Sequence, residues 1–110
     1  AYEARRNLEA AENLSGRIES IAMVGGATKS RLWPQIVANV LNRPIEVSHQ
    51  SESACYGAAM LAAGEVSSHW NANQPASRLT PVEADVAVEE HLYEKYLRIY
   101  QDMTSFYKER

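Results

Sequence analysis

The period of the hydrophobic positions changes repeatedly along this chain, and each change marks an element. Residues 1 to about 14 are rich in Ala, Glu and Arg, which favour helix, with Tyr2, Leu8 and Ala11 as a modest apolar stripe. Ser15-Gly16 ends that helix, because Gly16 suits a left-handed C-terminal position. Within Ile18–Val24 the last four residues, Ile21-Ala22-Met23-Val24, form an unbroken apolar run. Such a run predicts a strand buried on both faces of a parallel sheet. It stops at Gly25-Gly26-Ala27-Thr28-Lys29-Ser30. Beyond this turn Leu32, Trp33, Ile36, Val37, Val40 and Leu41 recur at helical spacing and give one broad apolar face. Thr28 or Ser30 is placed to cap this helix, Pro34 falls in its first turn, and Asn42-Arg43-Pro44 ends it. Ile45-Glu46-Val47-Ser48 alternates apolar and polar and predicts a short strand near a sheet edge, completing a parallel strand–helix–strand unit.

A second helix follows, Ala54–Ala63, with Ser51 or Ser53 as its cap and Gly64 as its stop. Its side chains are small, so it gains little from its own burial. That composition fits a helix whose backbone must approach another element closely, with Gly57 at the point of approach; an alanine-rich helix without such a partner is the plainer reading. Residues 67–81 are polar and broken and read as a connecting loop, with Trp70 as its anchor. In the segment 82–110, Val88, Leu92, Tyr96, Ile99, Met103 and Phe106 form one stripe of a long amphipathic helix flanked by Tyr93, Tyr100 and Tyr107. Acids crowd its start and Lys108 and Arg110 its end, as the helix dipole favours.

Composition narrows the picture modestly. The chain has 110 residues, 45% hydrophobic and 23% charged, and so has the make-up of a globular domain. Its net charge of -3 and scattered basic residues argue against a nucleic-acid partner. No apolar run approaches the roughly 20 residues of a membrane span, and no signal peptide is visible. With Cys55 the single cysteine, a cytoplasmic location is expected. The chain opens on a helix-like run with neither a methionine nor a capping residue, which reads as a helix entered part-way through a longer chain.

The residue pattern holds few chemical candidates. His49, His69 and His91 lie in separate segments without metal-ligand spacing, so no metal site is expected. Cys55 has no activating neighbour in sequence and reads as a packing residue. The acids 83, 85, 89 and 90 read as a solvated helix start. No nucleophile, base and orienting group can be assembled, so no catalytic residue is assigned. One signal remains: an apolar strand feeding Gly25-Gly26 and then a helix. Glycines let a backbone pass close to a ligand, and a helix start offers unpaired N–H groups. The turn has neither the phosphate-loop spacing nor the dinucleotide fingerprint. A ligand-facing turn and a purely structural one both remain open on these residues.

Val24-Gly25-Gly26-Ala27-Thr28-Lys29-Ser30-Arg31-Leu32-Trp33-Pro34-Gln35-Ile36-Val37-Ala38-Asn39-Val40-Leu41-Asn42-Arg43-Pro44-Ile45 resembles the glycine turn and following helix of the FGGY carbohydrate kinases. Glu52-Ser53-Ala54-Cys55-Tyr56-Gly57-Ala58-Ala59-Met60-Leu61-Ala62 resembles the next block of that family, and Tyr93, Tyr96 and Tyr100 the closing helix of its xylulokinase-like members. The resemblance implies an α/β chain forming part of an actin-like, ribonuclease-H-like ATPase domain: a core at 17–66, a loop at 67–81 and a C-terminal helix at 82–110. It implies transfer of a phosphoryl group from ATP, with Mg²⁺, to a sugar hydroxyl, a pentulose such as xylulose being the expected substrate. Gly25, Gly26 and Ala27 would then lie beside the adenine and ribose, with Ser30 in the polar position of the first turn. The family's catalytic aspartate, sugar-binding residues and phosphate loops have no counterpart here, so the partner implied is the remainder of a kinase chain that binds the sugar. Ala27 stands where close relatives often carry a third glycine, and Pro34 where the family is usually polar. Two rival readings stand beside this one: an interaction module using the C-terminal helix, and a different nucleotide-binding α/β protein. Self-association through an exposed strand edge, or a partly exposed core, is also expected.

Overall fold

The computed structural model describes residues 1–48, 52–64 and 75–108. Among the described residues, seven regular elements and one 3₁₀ turn follow one another: α1 (Tyr2–Ser15), β1 (Ala22–Met23), the 3₁₀ turn (Gly26–Lys29), α2 (Trp33–Leu41), β2 (Ile45–Ser48), α3 (Ser53–Ala63), β3 (Pro75–Leu79) and α4 (Glu83–Lys108). His49, Ser51, His69, Trp70 and Arg110 lie outside the described residues.

The helix stops follow the sequence. Gly16 has φ +83° and donates its N–H to the Glu12 carbonyl, and Gly64 is left-handed at φ +71°. Asn42 takes the same role after α2, at φ 48°, ψ 43°. This conformation is tolerated by asparagine better than by most side chains. It adds a backbone stop to the one expected from Pro44. Pro34 sits in the first turn of α2, where its missing N–H costs nothing.

The sheet has three strands in the order β1-β2-β3. β1 and β2 run parallel with α2 between them, pairing Ala22 with Glu46 and Met23 with Val47. β3 runs antiparallel to β2, with Ile45 opposite Leu79 and Glu46 opposite Arg78. Three sequence expectations are corrected here. β1 is a short edge strand with Ala22 and Val24 exposed, not a strand buried on both faces. β2 is the central strand, not an edge, because the segment read as loop supplies a third strand, β3. The core centres on Ala38, Leu41, Ile45 and Val47, with Leu8, Ile21, Met23, Val37 and Leu79 packed around it. Ile45 is wholly buried and Val40 nearly so.

α4 also departs from its sequence reading. Of the stripe, Val88, Leu92, Ile99, Met103 and Phe106 are exposed and Tyr96 is half-buried, and Tyr93, beside the stripe, is the one buried residue among those described in that helix. The packed seam lies about a third of a turn round the helix, at 100° per residue, along Val86, Glu90, Tyr93 and Leu97. It is held by polar contacts to α1. Tyr2 and Tyr93 donate their hydroxyl protons to Glu89 and Glu9, and Tyr96 donates to Glu3. Arg5 joins three helices. Its Nε meets Glu9 Oε1 at 3.0 Å, its Nη2 meets Glu90 Oε2 at 2.9 Å, and its Nη1 donates to the Val40 carbonyl at 3.2 Å. The same guanidinium stacks 4.2 Å over the Tyr93 ring. An apolar stripe is the strongest periodic signal in a helix, but here tyrosine and charge pairs, not that stripe, define the packed face.

Candidate functional site

The glycine turn stands at the carboxyl end of β1, where open α/β sheets place their ligands. Its internal hydrogen bonds are local. The Gly25 carbonyl accepts from the Thr28 N–H at 3.1 Å and from the Thr28 hydroxyl at 2.8 Å. The Ala27 carbonyl accepts from the Ser30 N–H at 3.3 Å. Ser30 Oγ then accepts from the N–H groups of Leu32 at 3.3 Å and Trp33 at 3.0 Å, so Ser30 and not Thr28 covers the start of α2. Its hydroxyl proton is not used in those two bonds.

The two glycines have different reasons to be glycine. Gly25 has φ +86°, a backbone angle that a side chain would strain. Gly26 has no positive φ, and a Cβ built on it meets no atom within 4 Å. Neither conformation nor packing within this chain therefore calls for glycine at 26. Gly26, Ala27 and Ser30 are exposed and Gly25 is half-buried, so the structure brings all four together on one open surface. Lys29 Nζ reaches Glu52 Oε1 at 3.3 Å, which ties this turn to the start of α3 beyond the carboxyl end of β2. Both connections leaving the parallel pair thus meet on the same side of the sheet.

α3 does not lie against the turn through Gly57. A Cβ at Gly57 would meet no atom within 4 Å, and no residue of α3 is buried. Among the described residues the expected close approach at Gly57 is not found. Cys55 is exposed, not a packing residue. Glu52 takes the N-cap position in place of Ser53, without a side-chain capping bond.

The perturbed titrations lie elsewhere, in the seam between α1 and α4. Burial, then the hydrogen bond to Glu89, raises Tyr2 to about 12; burial, then Glu9, raises Tyr93 to about 12. The Arg6 guanidinium, followed by the Tyr96 hydroxyl, holds the Glu3 carboxyl below its ordinary value. Each shift is explained by helix packing, and none of these groups faces the glycine turn. Among the described residues no group of three or more His, Cys, Asp or Glu is arranged to hold a metal ion. His91 is exposed on α4. Among them also, no helix is long and apolar enough to cross a membrane.

Sequence reasoning gave no role to Gln35 and Asn39. The signal was present: Asn39 interrupts the apolar face between Ile36 and Val40, and a polar residue there must find partners inside.

The comparisons with known proteins fit this geometry. The family model for the C-terminal domain of the FGGY family of carbohydrate kinases matches residues 1–65. An L-fuculokinase of Haemophilus influenzae is 43% identical over 63 residues, which are 57% of this chain and 13% of that protein. A xylulose kinase of Staphylococcus xylosus is 28% identical over 108 residues, 90% of this chain and 22% of its own length. The crystal structure of xylulose kinase from Rhodospirillum rubrum matches 97% of this chain and 23% of that one with a TM-score of 0.72, at 23% identity. The chain thus spans less than a quarter of the length of these relatives. It forms part of their actin-like, ribonuclease-H-like ATPase fold. On the match that covers α1 through α3, the chain belongs to the FGGY family of carbohydrate kinases, in their C-terminal domain.

Proposed function

We propose that this chain forms the adenosine-side wall of the nucleotide site in an ATP-dependent sugar kinase. The observation that carries the reading is Gly26: an exposed glycine at the carboxyl end of a parallel strand, required by neither backbone angle nor internal contact. A flat backbone there admits an adenine or ribose to van der Waals contact, and any side chain would occupy that ground. Gly25 and Ala27 continue the surface, and Ser30 supplies a hydroxyl donor beside it. ATP with Mg²⁺ would supply the transferable phosphoryl group, the cation being bound through the phosphates. This chain's part is to hold the adenosine end and so fix the position of the reacting end.

The acceptor would be a sugar hydroxyl, a pentulose such as xylulose fitting the xylulose kinase matched over 108 residues. No residue of this chain is given a catalytic role. The base that deprotonates the sugar, and the groups that bind it, would come from the remainder of a kinase chain. By itself the chain should phosphorylate neither xylulose nor fuculose.

A second reading draws on the exposed stripe Val88, Leu92, Ile99, Met103 and Phe106, which would suit α4 to a protein partner. Calorimetry separates the two. ADP should bind the protein that carries this chain, and Gly26→Asp should weaken binding at least about tenfold while circular dichroism stays unchanged. Equal ADP affinity in both forms would remove the nucleotide reading and leave the helix reading in its place.

A further inference from the structure

Asn39 is a polar residue in the packed face of α2, and it is only 4% exposed. Both ends of its amide are engaged. Oδ1 accepts from the Val82 N–H at 2.9 Å and from Gln35 Nε2 at 3.0 Å, and Nδ2 donates to Asp85 Oδ2 at 3.0 Å. Gln35 Nε2 also donates to the Thr80 carbonyl at 2.9 Å. Two side chains one turn apart on α2 therefore grip Thr80, Val82 and Asp85, where β3 gives way to α4.

The other end of α2 is the glycine turn, fastened to it by Ser30 Oγ. α2 is a single nine-residue rod, so a rotation at one end is a rotation at the other. Apolar contacts from Ala38 and Leu41 hold the rod against the sheet, but hydrophobic attraction is non-directional and fixes rotation poorly. Hydrogen bonds weaken steeply with misalignment and fix it well. The geometry points to Asn39, with Gln35, as a positioning residue for the glycine turn: it sets the rotation of α2 and thereby presents the backbone of Gly26–Ser30 to a nucleotide. Its consequence for the ligand rests on the function proposed above; the mechanical coupling does not.

The test joins amide hydrogen exchange in the full chain with ADP titration of the protein that carries it. Asn39→Asp keeps the acceptor for Val82 but sets a carboxylate against Asp85. The double variant Asn39→Asp/Asp85→Asn restores a donor–acceptor pair with the roles exchanged. In Asn39→Asp, exchange at Thr28 and Ser30 should rise about tenfold, while Glu46, bonded to the Ile21 carbonyl in the sheet, stays protected. The Kd for ADP should rise about fivefold, and the double variant should reverse both changes. Should Asn39→Asp fail to fold, Gln35→Ala removes the bonds to Thr80 and to Asn39 Oδ1 but leaves Asn39 bonded to Val82 and Asp85, and should speed the same two amides about threefold. Faster exchange confined to Val86 and its neighbours, with Thr28 and Ser30 unchanged, overturns the proposal, as does a double variant that leaves the turn loose. A turn that loosens and recovers as described, in a protein that binds no ADP in any form, upholds the coupling and removes the nucleotide reading.

Discussion

The two flanks of this small sheet are built on opposite terms. On the flank held by α1, α2 and α4, side chains answer one another: Arg5 bonds three helices, Asn39 makes three hydrogen bonds, and Tyr93 is buried under a guanidinium. On the flank of β1, the glycine turn and α3, few do. Among the described residues none of α3 is buried, a Cβ at Gly26 or Gly57 would meet no atom within 4 Å, and Lys29–Glu52 is an exposed ion pair. Exposed ion pairs add little stability. The first flank uses its residues to hold this chain together. The second displays backbone and mostly small side chains.

That contrast is sharpest in core truncation. Ile45→Ala, on the central strand, should cost about 2–4 kcal/mol in urea unfolding, whereas Leu61→Ala on α3 should stay within about 0.5 kcal/mol. Equal losses would mean that α3 is packed after all. Arg5→Ala should cost about 2 kcal/mol, because it strands Glu90 and the Val40 carbonyl at a half-buried junction. Smaller again, the two adjacent glycines should separate: Gly25→Ala loses about 1 kcal/mol to its positive φ, and Gly26→Ala changes stability by less than about 0.5 kcal/mol.

A separate effect is on pH. Tyr2 and Tyr93 titrate near 12 when folded and near 10.0 when unfolded, so between those values the folded form retains protons that the unfolded form has lost. Stability must then fall as pH rises from about 10 to 12. In Tyr2→Phe/Tyr93→Phe the curve over that window should flatten. Glu3 gives the opposite sign: its lowered value means a contribution present above about 4.5 and lost as pH falls below it, and Glu3→Gln should remove that acid-side slope.

Much of this architecture could be read from residues that carry backbone rules. Gly16, Pro34, Asn42 and Gly64 stop or start helices where local conformation predicts, and the parallel pair follows from an apolar run and an alternating one around a helix. What could not be read depended on partners distant in sequence. Pro75-Ala76-Ser77-Arg78-Leu79 has too few large apolar residues to announce a strand, and it becomes β3 because β2 offers a free edge. The stripe on α4 was visible, but the packed face was set by Glu3, Arg5 and Glu9 of α1. β1 looked doubly buried because its residues are apolar, yet it stands at the edge of this sheet. Of the candidate site, Gly25, Gly26, Ala27 and Ser30 were legible as part of a turn. Which glycine serves the backbone and which leaves open ground was decided only by φ and by the space around each.

The most direct test of the account is an amide shift map of the isotopically labelled chain during ADP titration. The account predicts that the largest changes fall at Gly25, Gly26, Ala27 and Ser30 and fade along α2, with α4 from Val88 to Phe106 unmoved. Changes centred on α4, or none near the glycine turn at saturating ADP, would contradict it.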